Sequence, residues 1–199
     1  MLEGIAFNTK FTDLSDHRPL LVLDVDETLL HASDAPAKQT ADFQVGPYSV
    51  WRRPPLQDFL EACAAEFQLA VWSSSTADYL HAVLDQAVLP SAEFVFVWSR
   101  ERCVRRFDPE WQEHYFVKDL RKVKRLGFDL ARVLIVDDTP KKLERNYGNA
   151  VYVKPYFGGA EDKKLVPLAR YLQTLASVSD VRPIEKRGWR HSVSGESEK

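Results

Sequence analysis

The sequence predicts an α/β fold in which helices cover both faces of a central parallel sheet. Three observations support this prediction. Short, wholly apolar runs recur along the chain, helical patterns separate them, and most of the runs end at acidic or hydroxyl side chains. Strands that lie between two layers of crossover helices have this continuous apolar character.

Four apolar runs are predicted to be strands of this sheet. The runs LLVLD at 20–24, QLAVW at 68–72 and RVLIVD at 132–137 are the clearest, and AVYV at 150–153 is the weakest. Each run has the four to eight residues typical of a buried strand, and none shows helical spacing.

Helices are predicted between and after these strands, because apolar residues recur there at helical spacing. The first follows Pro55, a residue that suits the first turn of a helix. The third is capped by Asp119 and stops at Gly127. The four predicted helices span 55–67, 76–88, 119–127 and 162–178.

Two stretches interrupt the alternation. Residues 31–53 contain a polar loop and then alternating residues typical of a hairpin, and residues 94–117 mix a strand-like FVFVW with arginines and aromatics. We interpret the first as an active-site flap and the second as a small inserted subdomain. The domain itself is predicted at 19–176, after a loose lead-in at 1–18 and before a polar, disordered tail at 177–199.

Composition and net charge argue against binding to nucleic acid or to a membrane through overall charge. The 199 residues are 45% hydrophobic and 28% charged, and 27 basic residues against 29 acidic ones give a net charge of −2. Such a balance provides no overall attraction for nucleic acid or for an anionic membrane. Cys63 and Cys103 are interpreted as reduced core residues, and no apolar run approaches the roughly 20 residues that span a bilayer. We expect a cytoplasmic protein, or a nuclear one if the source is a eukaryote.

Two carboxylates stand directly after the first predicted strand, in the sequence D-V-D-E-T. Asp24 and Asp26 are two positions apart. Such a pair can act as nucleophile and general acid/base, as ligands of a hard cation, or as both. The alternative is that the two are ordinary polar residues that cap a strand end and a turn.

Two further signals lie near other predicted strands. The run S-S-S at 73–75 follows QLAVW, where its hydroxyl and N–H groups could form an anion cradle or merely cap a helix. Lys118 lies in Y-F-V-K-D beside apolar residues, where its ammonium could hold a phosphate or a carboxylate, or be an ordinary surface charge.

Asp137 and Asp138 close the strand RVLIV. Two carboxylates about 4 Å apart repel one another by about 4 kcal/mol at an effective dielectric constant of about 20, unless a cation or a proton lies between them. A parallel sheet brings the carboxyl ends of its strands to one edge, where ligands bind. The sequence therefore predicts a Mg²⁺ site at this edge.

In the order D-x-D-x-T, Ser/Thr, Lys and D-D, these motifs resemble those of the haloacid dehalogenase superfamily of phosphatases. The longer forms D-V-D-E-T-L-L-H, R-R-P, V-W-S-S-S, V-K-D-L and V-L-I-V-D-D-T-P are similar to the RNA polymerase II carboxy-terminal-domain phosphatases and their small nuclear and NLI-interacting-factor-like relatives. The resemblance covers about residues 19–175. It implies a Rossmann-like fold with a small β insertion between the second and third motifs.

The resemblance also implies a role for each matching residue. Asp24 would be the nucleophile that forms an aspartyl phosphate, and Asp26 would protonate the leaving oxygen and later activate water. Thr28 would orient these loops, Ser73 would hold a phosphate oxygen, and Lys118 would pair with the phosphoryl group and the nucleophile. The substrate-binding set implied in this way is Ser73, Ser74, Arg100 and Lys118.

For Mg²⁺, the resemblance implies ligands from Asp24, from the backbone carbonyl of Asp26 and from the pair Asp137 and Asp138. We favour Asp138 as the direct ligand and Asp137 as the residue that fixes Lys118.

The expected function is therefore a Mg²⁺-dependent phosphatase that acts on phosphoserine or phosphothreonine in a protein or peptide. Asp34 stands where the small polymerase-tail phosphatases have an aromatic residue, the flap is shortened and the stretch 103–118 is longer, which argues against recognition of the polymerase tail. We interpret His31 as a hydrogen-bonded structural residue. The alternatives are a phosphatase of small molecules or nucleic-acid ends, and a non-catalytic binding module on the same fold.

Overall fold

The computed structural model describes residues 16–35, 39–87 and 92–194. All but the last three residues of the predicted lead-in lie outside the described residues. The strands are β1 (Leu20–Leu23), β2 (Leu30–Ser33), β3 (Phe43–Val45), β4 (Tyr48–Arg52), β5 (Gln68–Trp72), β6 (Phe94–Trp98), β7 (Val104–Asp108), β8 (Glu113–Val117), β9 (Val133–Asp137) and β10 (Ala150–Tyr152). The α-helices are α1 (Leu56–Glu66), α2 (Ala77–Ala87), α3 (Arg121–Lys124), α4 (Leu165–Ala176) and α5 (Trp189–Ser194).

A central sheet of five parallel strands, in the order β10-β9-β1-β5-β6, confirms the predicted α/β fold. The central strand β1 pairs on one side with β5, where Leu20 lies opposite Gln68, and on the other with β9, where Leu20 lies opposite Val133. This register brings the carboxyl ends of β1, β5 and β9 to the same edge of the sheet.

The two faces of the sheet pack against different layers. Leu21 and Leu23 of β1 belong to a core cluster with apolar residues of α1, α2 and α4, and Leu20 and Val22 belong to a second cluster with Val123 of α3. Successive side chains of a strand point to opposite faces, so β1 has to be apolar throughout. The predicted run of uninterrupted apolar residues follows from this double burial.

The structure divides the predicted insertion at 94–117 into two parts. Strand β6 belongs to the central sheet, where it pairs with β5 and buries Phe94, Phe96 and Trp98. Its alternate residues are half-buried, as expected at the edge of a sheet. The insertion is therefore the hairpin of β7 and β8, a separate two-stranded sheet.

The flap is a three-stranded antiparallel sheet in the order β2-β4-β3. The predicted hairpin is formed by β3 and β4, whereas β2, which was not predicted as a strand, pairs with β4 on its other side. Trp51 anchors the flap, because its ring is buried and its indole N–H donates to the carbonyl of Thr40 at 3.0 Å.

The chain after Ser177 differs from the predicted disordered tail as far as Ser194, because α5 packs on the domain. Trp189 is buried, stacks on Tyr171 with ring centroids 5.5 Å apart and donates from its indole to the carbonyl of Tyr152 at 2.8 Å. The ammonium of Lys186 donates to several backbone carbonyls nearby. A single large aromatic and one buried cation thus order a segment whose composition is otherwise polar. Residues 195–199 lie outside the described residues.

Among the described residues, the longest and most apolar helices still fall short of what a bilayer crossing requires. Cys63 is buried and Cys103 is half-buried, and both are free thiols. Burial raises the pKa of the Cys63 thiol to about 12, so this side chain behaves as a small apolar core residue.

Candidate active site

Asp24 lies immediately after β1 and is 1% exposed. Its backbone N–H donates to the carbonyl of Val136 at 3.0 Å and so continues the pairing of β1 with β9. One carboxylate oxygen accepts from the ammonium of Lys118 at 2.5 Å, and the other accepts from the hydroxyl of Thr28 at 3.1 Å. The sheet therefore fixes the backbone of Asp24 while two neighbouring side chains fix its carboxylate.

A tight turn follows Asp24 and explains how Thr28 returns to it. The backbone N–H groups of Thr28, Leu29 and Leu30 all donate to the carbonyl of Val25. Glu27 has a φ of 58°, in the left-handed region that turns use. The spacing D-x-D-x-T thus reflects one turn that places a hydroxyl against the first carboxylate.

Lys118 stands at the end of β8 with its side chain completely buried. Its ammonium donates to Asp24 and, at 2.6 Å, to Asp137. Burial alone would lower the pKa of Lys118, but the charges of Asp137 and Asp24 outweigh it, so the pKa lies above its ordinary value. Lys118 is a permanent cation shared by two carboxylates.

The same cation affects its two partners differently. Burial alone raises the pKa of Asp24, but the charges of Lys118 and Lys142 outweigh it, so the pKa lies below its ordinary value. For Asp137, burial and the negative charge of Asp24 raise the pKa to about 6. Asp24 is therefore anionic at neutral pH, as a nucleophile must be.

A second lysine, which the sequence reasoning did not single out, lies against the same carboxylates. The ammonium of Lys142 is 3.4 Å from Asp24, 3.7 Å from Asp137 and 3.4 Å from Asp138. It lies in the 3₁₀ turn Pro140–Leu143, whose backbone also accepts from the N–H of Lys118 at 2.8 Å. The turn after D-D-T-P therefore brings Lys142 to the site.

Three carboxylates at this edge could hold a metal ion. Asp24, Asp137 and Asp138 each offer one oxygen, and the three oxygens lie within 4.8 Å of one another. Carboxylate oxygens are the donors that Mg²⁺ prefers. Three negative charges stand here against the two ammonium groups of Lys118 and Lys142, so the cluster keeps a net negative charge that suits a further cation.

Asp26 lies in a different environment, surrounded by hydroxyl groups. One of its carboxylate oxygens accepts from Ser75 at 2.7 Å and from Ser73 at 3.2 Å, and the other accepts from Tyr79 at 2.9 Å. Ser73 also accepts from the backbone N–H of Ser75 at 2.9 Å. The predicted phosphate-binding serine therefore orients Asp26 in this structure.

Tyr79 is a functional candidate that the sequence reasoning missed, and Ser75 was noted only as the last residue of the run at 73–75. The signal that could have found Tyr79 is its place in the first turn of α2, just after that run. Burial and the charge of Asp26 raise the pKa of Tyr79, which keeps the phenol protonated as a donor.

Ser74 and Arg100 are brought together at the rim of the site. The guanidinium of Arg100 donates to the carbonyl of Ser74 at 2.7 Å and lies 4.8 Å above the ring of Phe116. Arg100 is exposed. The predicted substrate contact thus stands beside the serine run, held by a backbone acceptor and an aromatic ring.

His31 lies in β2 of the flap, on the opposite side of the turn, where it faces the loop after β10. Its ring stacks on Trp51 at 5.7 Å and meets Phe157 edge-on at 5.8 Å, and its Nδ1 is 3.1 Å from Glu27. Burial raises the pKa of Glu27. The arrangement agrees with the interpretation of His31 as a hydrogen-bonded structural residue, and exposed Phe157 marks the rim on this side.

The structure therefore sorts the predicted residues into three neighbouring groups. Asp24, Thr28, Lys118, Asp137 and Asp138 form one buried cluster, Asp26 and Ser73 form a hydroxyl-lined pair, and Ser74 and Arg100 form the rim. Asp137 contacts Lys118 directly, and Asp138 is the more exposed acid of the two.

A model of the NLI interacting factor-like phosphatases matches residues 19–182. The chain belongs to this family. The match covers the central sheet, the flap, the hairpin and every residue of the site described above.

The chain is similar in sequence to proteins that are named as phosphatases. It is 34% identical over 171 residues to a probable C-terminal domain small phosphatase of Dictyostelium discoideum, covering 81% of this chain and 52% of that protein. It is 34% identical over 176 residues to the human carboxy-terminal domain RNA polymerase II polypeptide A small phosphatase 1, covering 81% of this chain and 60% of the relative. The chain thus spans less than two thirds of each relative.

A solved structure confirms the fold. Fission yeast RNA polymerase II CTD phosphatase Fcp1 bound to beryllium fluoride matches 80% of this chain and 50% of its own, with a TM-score of 0.53 and 20% identity. At this identity the likeness concerns the architecture, and it agrees with the predicted Rossmann-like fold of the haloacid dehalogenase phosphatases.

Proposed function

We propose that this chain is a phosphatase that transfers the phosphoryl group of a monoester to Asp24 and then to water. The observation that carries the proposal is the buried carboxylate of Asp24, held 2.5 Å from Lys118 beside two further carboxylates at the carboxyl edge of the sheet. The names of its relatives support the same class of reaction.

In the first step, a carboxylate oxygen of Asp24 attacks phosphorus and forms an acyl phosphate while the bond to the ester oxygen breaks. The leaving oxygen takes a proton from Asp26 and departs as an alcohol. Lys118 neutralises the negative charge that collects on the phosphoryl oxygens. Thr28 keeps the carboxylate of Asp24 oriented during the attack.

In the second step, Asp26 accepts a proton from water as the water oxygen attacks phosphorus. The bond between Asp24 and phosphorus breaks, inorganic phosphate leaves, and both carboxyl groups return to their starting states. Hydrogen bonds from Ser73, Ser75 and Tyr79 hold the carboxyl group of Asp26 in place for this step.

Mg²⁺ fits the donor set of Asp24, Asp137 and Asp138, because all three offer hard carboxylate oxygens within 4.8 Å of one another. When bound there, Mg²⁺ would offset the charge of the phosphoryl oxygens. Asp138 is the ligand that we favour besides Asp24, since Asp137 is already held by Lys118 at 2.6 Å.

The substrate we propose is phosphoserine or phosphothreonine in a protein segment. The names of the human and Dictyostelium relatives support a phosphoprotein substrate. A small-molecule phosphatase is the second candidate; broad activity on many simple esters would favour it. The cytoplasmic location stays a prediction.

The test is phosphate release from p-nitrophenyl phosphate with and without Mg²⁺, comparing the wild type, Asp24→Asn and Asp85→Asn. Asp85 is an exposed acid in the C-terminal half of α2, beyond Tyr79, so its variant controls for the loss of one carboxylate. We expect Mg²⁺-dependent release that Asp24→Asn abolishes and Asp85→Asn retains. Equal release from Asp24→Asn and the wild type would contradict the proposal, and no release from the folded wild type, with phosphopeptides also refused, would favour a binding module.

A further inference from the structure

The hairpin of β7 and β8 has two unlike faces. Cross-strand partners in an antiparallel pair share a face, and successive residues alternate between faces. Arg105 pairs with Phe116, and Phe107 pairs with His114, so these four side chains form one face, which we name the open face. The register places Arg106 opposite Tyr115 on the other face.

The second face is covered by the turn that carries Lys142. The hydroxyl of Tyr115 donates to Glu144 at 3.2 Å, and Arg106 lies 3.9 Å from the same carboxylate. Lys141 pairs with Asp108 and stands 4.4 Å above the ring of Tyr115. These contacts hold the hairpin against the catalytic edge. On its other face, Arg105, Phe107 and His114 are exposed among the described residues.

The open face combines cationic and aromatic groups. Arg105 is exposed, and its side chain makes no hydrogen bond or ion pair with any described residue. The ring of Phe107 is 50% exposed and lies 5.2 Å from the ring of His114. Both acidic residues of the two strands, Asp108 and Glu113, belong to the covered face. The charge of Arg105 is therefore uncompensated on its own face.

This face is continuous with the rim of the site. Phe116, opposite Arg105 in the hairpin, carries the guanidinium of Arg100 above its ring at 4.8 Å. At its inner end, β8 leads directly into Lys118. A chain that leaves the catalytic edge past Arg100 would thus meet Phe116, Arg105 and Phe107 in turn.

We propose that the open face binds an acidic segment of the phosphoprotein substrate next to the phosphorylated residue. The proposal rests on the proposed phosphatase function and names the kind of sequence that this site prefers. Carboxylates of the segment pair with the free guanidinium of Arg105, and its aliphatic or aromatic groups pack on the exposed ring of Phe107. Exposed aromatic surface beside unpaired arginine is typical of protein-binding sites.

A protein segment fits this face better than a nucleic acid does. Nucleic acid carries a charge at every phosphate and requires several cations along its path. The two strands offer one free arginine on this face, and the whole chain has a net charge of −2. A segment with a few carboxylates matches this smaller positive charge.

The test uses phosphoserine peptides that differ in their flanks, with glutamate, glutamine or lysine on both sides of the phosphoserine. We measure kcat/KM for the wild type, Arg105→Gln, Arg105→Glu and Arg106→Gln. Arg106 is the matched control, since it is the next residue of β7 and lies on the covered face. The wild type is expected to prefer the glutamate peptide to the glutamine peptide by about three- to fivefold at low salt, as for an exposed charge pair.

Arg105→Gln is expected to lose the preference for the glutamate peptide, mainly through a higher KM for that peptide. Arg105→Glu is expected to prefer the lysine peptide to the glutamate peptide. Arg106→Gln is expected to keep the wild-type preference, and raising the salt concentration is expected to reduce it. An equal response to the glutamate and glutamine peptides in the wild type would overturn the inference, as would the same loss in both glutamine variants.

Turnover of p-nitrophenyl phosphate, which has no flanking chain, separates the two proposals. If the wild type hydrolyses this ester without preferring acidic flanks, the phosphatase proposal stands and the docking inference fails. If it hydrolyses nothing, the phosphatase proposal fails, and fluorescence anisotropy of labelled peptides decides the inference through the same variants. Tighter binding of a labelled single-stranded oligonucleotide than of the acidic peptide would overturn it in favour of nucleic acid.

Discussion

Two cations are completely buried among the described residues of this domain, and their surroundings differ in charge. Arg53 lies behind the catalytic turn, with both oxygens of Asp162 within 3.3 Å and the carbonyls of Thr28 and Lys154 at 2.9 Å. Lys118 lies at the carboxyl edge of the sheet, between Asp24 and Asp137. Both satisfy the requirement that a buried charge be paired.

The two clusters differ in the charge that remains after each buried cation is paired. Arg53 shares its carboxylate partner, Asp162, with the exposed ammonium of Lys164, so its cluster has no excess negative charge. The cluster around Lys118 contains three carboxylates against two ammonium groups and retains a negative charge. A buried cation without excess negative charge around it fixes a fold, whereas a cluster with excess negative charge at a sheet edge has capacity for a further cation. Four variants test this distinction.

The largest expected effect is on turnover. Asp24→Asn removes the carboxylate that we propose as the nucleophile and is expected to lower kcat by at least about 10⁴-fold, as loss of a catalytic nucleophile does elsewhere. Lys118 and Lys142 stabilise the carboxylate of Asp24 and hold its pKa below the ordinary value, so we expect a lower melting temperature by calorimetry but a protein that is still folded. A variant that is inactive because it unfolds would break the distinction.

Arg53→Met is expected to act on stability instead. It leaves Asp162 without its buried partner, which typically costs about 3–5 kcal/mol of unfolding free energy, measured by urea denaturation. Arg170→Met, on the exposed side of α4, controls for the loss of an arginine and should change the unfolding free energy by less than about 0.5 kcal/mol. Similar values for the two variants would show that Arg53 is not a structural anchor.

Lys142→Met is expected to tighten Mg²⁺ binding. Its ammonium lies within 3.7 Å of all three candidate ligands and repels a second cation there. Removing that charge should lower the Mg²⁺ dissociation constant by at least about fivefold in isothermal titration calorimetry. Lys141→Met, whose lysine pairs with Asp108 on the hairpin, should leave the constant unchanged. Weaker binding in Lys142→Met would mean that Lys142 organises the ligands.

The smallest expected effect is a pH-dependent loss of stability in Asp162→Asn. Burial alone raises the pKa of Asp162, but hydrogen bonds from Arg53 and from Lys164 outweigh it, so the pKa lies below its ordinary value. A lowered folded-state pKa stabilises the protein above the unfolded value of about 3.9, and this stabilisation is lost as the pH falls through the folded value. Asp162→Asn should therefore be less stable than the wild type at pH 7, by a margin that shrinks below about pH 4. A margin independent of pH would contradict the ion pair.

The strands and the buried cluster could be predicted from the sequence, because both follow from short-range patterns. Four uninterrupted apolar runs indicated a doubly covered sheet, and Asp24 and Asp137 are fixed to its edge by the strands that they end. In a parallel sheet, the carboxyl ends of the strands lie at one edge whatever conformations the connecting loops adopt. This part of the site depends on topology alone.

The positions of the other site residues depend on turn geometry, which short-range sequence patterns do not predict. Tyr79 reaches Asp26 because α2 begins at Ala77, and Lys142 reaches the carboxylates because a 3₁₀ turn follows Thr139. The ordered structure of the chain after Ser177 likewise depends on tertiary contacts, among them the stacking of Trp189 on Tyr171 and the hydrogen bonds of Lys186. Composition gives no information about such contacts.

The most direct test of the account is to trap the phosphoryl group during turnover. Wild-type protein is quenched in acid while it hydrolyses p-nitrophenyl phosphate with Mg²⁺, the acyl phosphate is reduced with borohydride, and the modified residue is located by mass spectrometry. We predict modification at Asp24, and none in Asp24→Asn. Modification at Asp26 instead, or turnover without any modified residue, would contradict the assignment of Asp24 as the nucleophile.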